Sequence, residues 1–378
     1  MKNVELVLFF TRGMSLHHWD QIGMFDREVA LYERLRNHGV KVSFITYGGT
    51  SELNYNDRLS GIQILCNTWG LPNHLYEKFL HRFHSAVLKS CDLIKTNQMD
   101  GAQIALRCAK HWKKPLIGRM GYIWSDFVGR ESGNTNGAFI QVQEIENNLF
   151  NSAERIIVTT PEMAKSLQDR VPELLAKTMV IPNYVETDRF SPGSKRTKDF
   201  EVTFVGRLSP QKNVGALLDA VTNLDVNCLI IGSGRLRDEL QSQYGDASGK
   251  IRWEGNIPNS ELPSVMNRSR IFILPSHYEG HPKTLIEAMS CGMPVIGADS
   301  PGIREIIDHG INGLLCGIDS ESIGRSIKEL LDNPDLCETL GNNARQYVLD
   351  HFSLDRVLKM EYQLYREILD EHTSRAVN

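Results

Sequence analysis

Short apolar runs that alternate with helix-like segments are the feature that most constrains the fold. Val4 to Thr11 and Ile271 to Leu274 are predominantly apolar, as is typical of strands that are covered on both faces of a parallel sheet. Between such runs, apolar residues recur at helical spacing, as from Gly23 until the pattern stops at His38-Gly39, where glycine suits a helix end. This order predicts an α/β protein with doubly wound sheets.

The alternation is interrupted once and then starts again. Ser191 to Lys195 is rich in turn-forming residues and is the predicted linker. At 378 residues, the chain exceeds the size at which one hydrophobic core usually stops growing. We therefore expect a first domain at residues 1–190, a second at residues 191–355 and a final amphipathic segment at residues 356–378.

Two stretches of the first domain lack regular periodicity. Arg12 to Asp20 is expected to be a loop that contains Gly13, and Gly121 to Gly137 is expected to be a longer one. The second stretch is either a binding loop or a plain surface loop, and the sequence leaves both interpretations open.

Composition excludes several classes of protein. A net charge of -4 argues against a general nucleic-acid binder, which would be strongly basic. Seven cysteines without paired spacing predict neither a disulfide framework nor a zinc site, and they fit a reducing cytosol. No signal peptide and no run of about 20 apolar residues is recognisable, so we expect a cytoplasmic protein whose membrane contacts, if any, are peripheral.

One strand-loop-helix segment has the character of an anion site. Ser276 to Cys291 reads S-H-Y-E-G-H-P-K-T-L-I-E-A-M-S-C and follows the apolar run that ends at Pro275. Pro282 suits a helix start, so the helix is expected to begin within a residue of it. The backbone N–H groups of residues 283–285 would then lie at the positive end of the helix dipole, which favours a phosphate.

Two carboxylates flank this predicted phosphate site. Glu279 precedes the helix start, and Glu287 follows it by just over one turn. Because a carboxylate would repel phosphate, the two side chains are expected to accept hydrogen bonds from hydroxyl groups. Phosphate flanked by hydroxyls describes a nucleotide sugar, whereas the alternative is an acidic first turn that only complements the helix dipole.

A second anion signal follows the predicted strand Phe200 to Val205. The loop reads G-R-L-S-P-Q-K-N at residues 206–213 and contains Arg207 and Lys212. These cations lie at the carboxyl end of a strand, where α/β sheets bind ligands, and together they could neutralise a diphosphate. Asn213 is expected to cap the next helix. An exposed basic loop without a ligand is the alternative, but both anion signals are expected at one sheet edge.

Taken together, these motifs resemble those of retaining GT-B glycosyltransferases of family 4. The resemblance includes the two glutamates separated by seven residues, A-M-S-C-G-M-P-V-I-G, P-G-I-R-E-I-I and N-G-L-L. It covers the whole chain and is most specific from Val202 to Cys316. It implies two Rossmann-like domains that face a cleft, the first binding the acceptor and the second the nucleotide sugar, with the last helix crossing back to the first domain.

The resemblance also implies roles for individual residues. Arg207 and Lys212 match the basic pair that holds the donor diphosphate and stabilises the departing nucleotide. Glu279 matches the glutamate at the transferred sugar, so these three are the expected catalytic residues, and Glu287 matches the ribose-binding glutamate. The remaining expected donor contacts are Gly13, Gly206, Gly280, His281, Lys283, Thr284 and Leu285.

The chain departs from the family pattern after the first glutamate. Many members have Gly-Phe-Gly there, whereas this chain has Gly280-His281-Pro282, which removes one backbone donor. The identity of the sugar is therefore left open at this position.

The implied activity is hexosyl transfer, with retention, from a nucleoside-diphosphate sugar to a sugar or lipid-linked acceptor in polysaccharide or glycoconjugate assembly. No metal cofactor and no nucleic-acid partner are expected. The alternatives are a nucleotide-sugar epimerase, a phosphorylase or a non-catalytic sugar-nucleotide-binding subunit. Trp112, beside Lys113 and Lys114, either contacts an anionic membrane at its inner face or ends a solvated helix.

Overall fold

A computed structural model describes residues 4–59, 61–133, 135–193, 198–245 and 249–377. The chain divides into two compact units. The first unit combines the residues up to Gln21 with Glu28–Pro182 and with the residues from Val357 onward. The second unit combines Ile22–Arg27 with Asn183–Arg356.

The first unit contains a seven-stranded sheet with the order β3-β2-β1-β4-β5-β6-β7, and all of its strand pairs are parallel. Its strands are β1 (Glu5–Phe9), β2 (Lys41–Ile45), β3 (Gln63–Leu65), β4 (Leu93–Thr96), β5 (Leu116–Met120), β6 (Arg155–Val158) and β7 (Thr178–Val180). Its helices are α1 (Leu16–Gln21), α2 (Phe25–Asn37), α3 (Asn73–Phe83), α4 (Ser85–Ser90), α5 (Ala102–Trp112), α6 (Trp124–Ser132), α7 (Gly137–Ser152) and α8 (Pro161–Arg170), and the 3-10 turns are Thr50–Tyr55 and Pro172–Ala176.

The second unit contains a six-stranded parallel sheet with the order β10-β9-β8-β11-β12-β13. Its strands are β8 (Phe200–Val205), β9 (Cys228–Ile231), β10 (Ile251–Glu254), β11 (Ser269–Leu274), β12 (Val295–Ala298) and β13 (Leu314–Cys316). Its helices are α9 (Val214–Leu224), α10 (Arg237–Tyr244), α11 (Leu262–Met266), α12 (Lys283–Ser290), α13 (Ser320–Asp332), α14 (Pro334–His351) and the start of α15 (Leu354–Val377), with a 3-10 turn at Pro210–Lys212.

The strand order of the second unit fixes where a ligand can bind. Every residue of β9 and β12 is buried, as expected for strands with helices on both faces. Successive strands run outward from β8 in one direction and from β11 in the other, so the order reverses between these two neighbours. Open α/β sheets bind ligands at the carboxyl ends of the strands on either side of such a reversal.

The observed division of the chain differs in detail from the sequence-based boundaries. Residues 183–190 belong to the second unit, because the Val185 N–H donates to the Phe352 carbonyl at 2.9 Å and Phe190 is buried in the second core. Residues 22–27, including the first turn of α2, also belong to the second unit. Within the predicted linker, residues 194 and 195 lie outside the described residues.

Two predicted loops of the first unit contain helices, so these predictions are wrong. Helix α1 lies in the first loop, where the N–H groups of Leu16 and His17 donate to the buried carboxylate of Glu52 at 2.8 and 3.2 Å. Helix α6 lies in the second loop, where Ser125 donates to Glu146 through its N–H at 3.0 Å and through its hydroxyl at 2.6 Å. Each helix start is therefore stabilised by a carboxylate that is distant in sequence.

Further local features are a helix cap, the state of the cysteines and the surroundings of Trp112. Thr160 caps α8, since its hydroxyl accepts the Met163 N–H at 3.1 Å. All seven cysteines are free. Within the described residues, no helix combines the length and the apolar character that are needed to cross a membrane. The indole N–H of Trp112 donates to the His81 carbonyl at 3.1 Å, and both interpretations of this region, a membrane contact or a solvated helix end, stay predictions.

A buried ion pair holds the last helix in the first unit. Lys95 on β4 and Glu361 on α15 are 0% and 1% exposed, and their Nζ and Oε1 atoms are 2.5 Å apart. Lys95 Nζ also donates to the Tyr365 hydroxyl at 3.3 Å and lies 5.6 Å from the centre of the Tyr32 ring. Burial lowers the pKa of Lys95, while the neighbouring Glu361 carboxylate acts in the opposite direction.

Lys95→Met should destabilise the first unit by about 3–5 kcal/mol, because it leaves the Glu361 carboxylate buried without its cation. The double variant with Glu361→Met should recover most of that loss, since well-packed apolar side chains can replace a buried ion pair. Urea unfolding measures the effect. The control is Lys328→Met, which breaks an exposed pair with Asp332 and should change stability by less than about 1 kcal/mol. Equal losses in the two lysine variants would contradict this interpretation.

Candidate active site

The loops that follow β8 and β11 are hydrogen-bonded to each other. The His277 N–H donates to the Gln211 carbonyl at 2.9 Å, and Gln211 Nε2 donates to the Tyr278 carbonyl at 2.8 Å. The loop of Arg207 and Lys212 therefore lies directly beside the loop of Glu279. The two anion signals of the sequence meet at one sheet edge, as predicted, and this edge lies at the reversal of strand order.

Asn213 contributes to this connection in a way that the sequence did not predict. It was expected to cap α9, but its side chain makes no capping bond. Its Nδ2 instead donates to the carbonyls of Pro275 at 3.2 Å and Ile318 at 2.8 Å, while its backbone adopts a left-handed conformation with φ of 52°. The predicted cap is thus wrong, and the side chain joins the ends of two loops.

The two cations of the first loop differ in their surroundings. Arg207 is exposed, and no hydrogen bond or ion pair of its side chain is formed with the residues that the structure describes. Lys212 is largely buried, and its Nζ lies 2.5 Å from Glu279 Oε1. Glu279 in turn is 8% exposed. One guanidinium is thus available to a ligand, and one ammonium is held by a carboxylate.

Close backbone contacts fix the position of this basic loop. The Leu208 N–H donates to the Ser233 carbonyl at 2.9 Å. Gly232, with φ of 128°, lies so near that an added Cβ would be 2.1 Å from the Gly206 carbonyl oxygen. Glycine is therefore required at this position for the loop after β9 to support the loop after β8.

A similar contact fixes the Glu279 loop. The Glu279 N–H donates to the Pro301 carbonyl at 2.9 Å. Gly302, with φ of 81°, lies where an added Cβ would be 2.5 Å from the carbonyl oxygens of both Glu279 and Gly280. The P-G-I-R-E-I-I motif of the sequence thus supports the backbone on which Glu279 is placed.

Helix α12 begins one residue after Pro282, as predicted. Pro282 is extended, with φ of -70° and ψ of 109°, and its carbonyl accepts the Ile286 N–H at 3.4 Å. The N–H groups of Lys283, Thr284 and Leu285 precede this first intrahelical bond and lie at the positive end of the helix dipole. The arrangement suits an anion.

Glu287 is buried in α12, and its two carboxylate oxygens differ. Oε1 accepts hydrogen bonds from Asn259 Nδ2 at 2.9 Å and from Arg27 Nη1 at 3.1 Å. Oε2 is buried and has no hydrogen-bond partner among the described residues. Because a buried carboxylate oxygen without a donor is unfavourable, Oε2 is a strong candidate acceptor for a ligand hydroxyl.

Sequence reasoning missed both partners of Glu287. Arg27 precedes Glu287 by 260 residues and Asn259 by 28, and neither belongs to a motif that we recognised. The helical pattern that begins near Gly23 gave no sign of these contacts. The structure instead places Gly23 in a short segment that packs within the second unit.

The remaining predicted residues have varied surroundings. His281 is buried, with its ring centre 4.8 Å from that of Phe352 and its carbonyl accepting a bond from Asn183 Nδ2 at 2.7 Å. These contacts hold His281 within the second unit, and its substrate role stays a prediction. Gly13 lies in the first unit after β1, with φ of 74° and open space around its Cβ position. Its role as a donor contact also stays a prediction.

Within the described part of the chain, no group of three or more His, Cys, Asp or Glu residues is arranged to hold a metal ion. The site therefore offers two cations, the start of a helix and two carboxylates. Such a set can bind a phosphate group and hydroxyl groups side by side.

Two family models match most of the chain between them. The model described as Glycosyltransferase Family 4 matches residues 29–189. The model described as Glycosyl transferases group 1 matches residues 185–347, which contain Arg207, Lys212, Glu279 and Glu287.

Individual proteins are also similar to this chain. Glycogen synthase of Mycobacterium tuberculosis is 26% identical over 285 residues, which cover 72% of this chain and 68% of that protein. Sucrose-phosphate synthase from Thermosynechococcus elongatus has a TM-score of 0.78 at 18% identity, covering 97% of this chain and all of the other. Anabaena HepE in complex with UDP-glucose has a TM-score of 0.74 at 18% identity, covering 97% and 99%. At these identities, the two structures establish a shared fold.

Gly302→Ala should destabilise the second unit more than Gly310→Ala does. Both glycines have positive φ, 81° and 76°, so both substitutions cost about 1–2 kcal/mol of backbone strain. Only at Gly302 would the new Cβ also meet backbone atoms, and such overpacking adds about 1–3 kcal/mol. Urea unfolding of both variants measures the difference. Equal stability of the two would show that Gly302 does not support the Glu279 loop.

Proposed function

Because the chain belongs to the family-4 type of glycosyltransferases with the GT-B fold, we propose that it transfers a hexosyl group from a nucleoside-diphosphate sugar to an acceptor hydroxyl with retention of configuration. The observation that supports this most is the meeting of the Arg207–Lys212 loop with the Glu279 loop and α12 at the strand reversal of the second unit. A phosphate site flanked by hydroxyl acceptors fits a nucleotide sugar.

In this proposal, the diphosphate binds to the exposed guanidinium of Arg207 and the N–H groups at the start of α12. Lys212 contributes its positive charge from the same loop. Its ion pair with Glu279 keeps the ammonium in place before the donor binds, since the two atoms are 2.5 Å apart. The phosphate oxygens then share this cation with the carboxylate.

The carboxylates are assigned to hydroxyl groups. Glu287 Oε2, which has no donor among the described residues, accepts a hydrogen bond from a ribose hydroxyl. Glu279 lies next to the predicted phosphate site and accepts a hydrogen bond from the transferred sugar. In both assignments a hydroxyl group of the donor lies between the carboxylate and the diphosphate, so that the two negative charges are not in direct contact.

Catalysis of the transfer step is mainly electrostatic. The bond between the anomeric carbon and the leaving phosphate oxygen breaks, and a bond to the acceptor oxygen forms on the same face of the sugar. The acceptor proton passes to the leaving phosphate oxygen. Arg207, Lys212 and the helix start stabilise the charge that develops on the nucleotide, which is where preorganised donors contribute most.

The comparisons support a nucleotide-sugar donor and a sugar acceptor. HepE was solved with UDP-glucose, and the name of the mycobacterial relative indicates polysaccharide synthesis. We assign acceptor recognition, whether of a saccharide or of a lipid-linked sugar, to the first unit. Within the described residues, nothing favours the epimerase, phosphorylase or non-catalytic alternatives over transfer.

The test is incubation with UDP-glucose, ADP-glucose and GDP-mannose in the presence of saccharide acceptors, with and without a chelator. We expect one donor to yield a glycosidic product whose anomeric configuration, read by NMR, matches that of the donor. Product formation should persist in the chelator. Isomerisation of the donor, or nucleotide binding without any product, would contradict the proposal.

Arg207→Ala should lower kcat/KM for the preferred donor by about 10²-fold or more, because it removes a charge that stabilises the leaving nucleotide. Arg325→Ala is the matched control, since Arg325 is exposed and pairs with Glu321 on the surface of α13. Steady-state kinetics compares the two variants with the parent. Near-normal turnover in Arg207→Ala would contradict the role of the basic loop.

A further inference from the structure

A short segment from the beginning of the chain is built into the second unit. Residues 22–27, which we call the strap, lie between α1 and the second turn of α2 and are grouped with residues 183–356. The last residue of the strap is Arg27. Its Nη1 donates to Glu287 Oε1 at 3.1 Å, and its side chain is 14% exposed.

Three backbone contacts fix the strap. The Gly23 carbonyl accepts the Asn259 N–H at 2.9 Å, and the Tyr184 hydroxyl donates to the Arg27 carbonyl at 2.5 Å. Gly23 has φ of 74°, and an added Cβ would lie 2.3 Å from the Ile257 carbonyl oxygen. The strap thus approaches the 257–259 segment as closely as glycine permits, and this contact fixes the position of Arg27 beside Glu287.

Arg27 of the strap and Asn259, whose N–H binds the strap, act on the same oxygen of Glu287. Arg27 and Asn259 both donate to Oε1, so this oxygen has two donors. Oε2 has none among the described residues, although it is buried. Two donors on one oxygen fix the rotation of the carboxylate and leave the other oxygen for a ligand.

We propose that Arg27 and Asn259 are positioning residues that aim Glu287 Oε2 at a ribose hydroxyl and thereby give the site its selectivity for ribonucleotides. This inference rests on the proposed function, because it takes the ligand to be a nucleoside diphosphate. A site built to receive a hydroxyl rejects an analogue without it, since the buried acceptor is then left unpaired. A carboxylate that is free to rotate could satisfy both oxygens with other donors and would lose this discrimination.

The test measures how strongly the protein prefers a ribonucleotide. The probes are UDP, ADP and GDP, each with its 2′-deoxy and 3′-deoxy analogues, in calorimetric titrations of the full chain. For the nucleotide that binds best, the ratio of dissociation constants between a deoxy analogue and the parent should be about 10 or more for one of the two hydroxyls. This ratio isolates hydroxyl recognition, because changes in phosphate binding affect both ligands equally.

Arg27→Met should lower this ratio to about 3 or less, and Arg27→Lys should restore part of it by supplying one donor to Oε1. The control is Arg34→Met, which removes an exposed arginine from the same helix and should leave the ratio unchanged. If Arg27→Met does not fold, Asn259→Ala decides the matter, with a fall in the ratio expected. If either folded variant keeps the ratio of dissociation constants that the parent protein shows, the inference is wrong.

The same titrations separate this inference from the proposed function. Glu287→Ala removes the acceptor itself and should abolish the preference. If the parent protein binds no nucleoside diphosphate, or if Glu287→Ala keeps the preference, the assignment of the donor site is wrong. If Glu287→Ala loses the preference while Arg27→Met keeps it, the donor site stands and only the role of the strap is wrong.

Discussion

Two carboxylates can be buried beside the start of α12, where we propose that a phosphate binds, only if each has a cation of its own. Glu279 has Lys212, from the loop after β8, and Glu287 has Arg27, from the strap. Without these partners, both carboxylates would repel an anion bound at the start of α12 and would be costly to bury. With them, each can keep an oxygen for a hydroxyl. The second unit depends on this pairing of charges for its proposed selectivity.

The strand order explains how these groups come together. Strands β8 and β11 are neighbours at the reversal, so their following loops meet although about 70 residues separate them. Gly232 and Gly302 lie on neighbouring loops and allow them to approach the carbonyl oxygens of Gly206 and Glu279. These close contacts fix the basic loop and the Glu279 loop in place. The site therefore rests on backbone contacts, and its side chains project from a rigid edge. Such a support is what an electrostatic mechanism requires, since its groups must be placed before the reaction.

Much of this could be predicted from the sequence, and the exceptions share a cause. Strand β8 was predicted to the residue, because a buried apolar run and the turn residues that follow it are local signals. Helices α1 and α6 were missed because Glu52 and Glu146, distant in sequence, stabilise their first turns. The bonds of Asn213 and the contact of Arg27 with Glu287 also join remote segments. Local propensity and motif spacing cannot report contacts that only the folded chain creates.

A crystal structure of the protein with its preferred nucleotide sugar would show where the nucleotide binds. We expect the diphosphate to contact Arg207, Lys212 and the N–H groups at the start of α12. We also expect a ribose hydroxyl within hydrogen-bond distance of Glu287 Oε2, while Oε1 keeps both of its donors. A nucleotide bound away from α12, or a ribose that does not contact Glu287, would contradict these expectations.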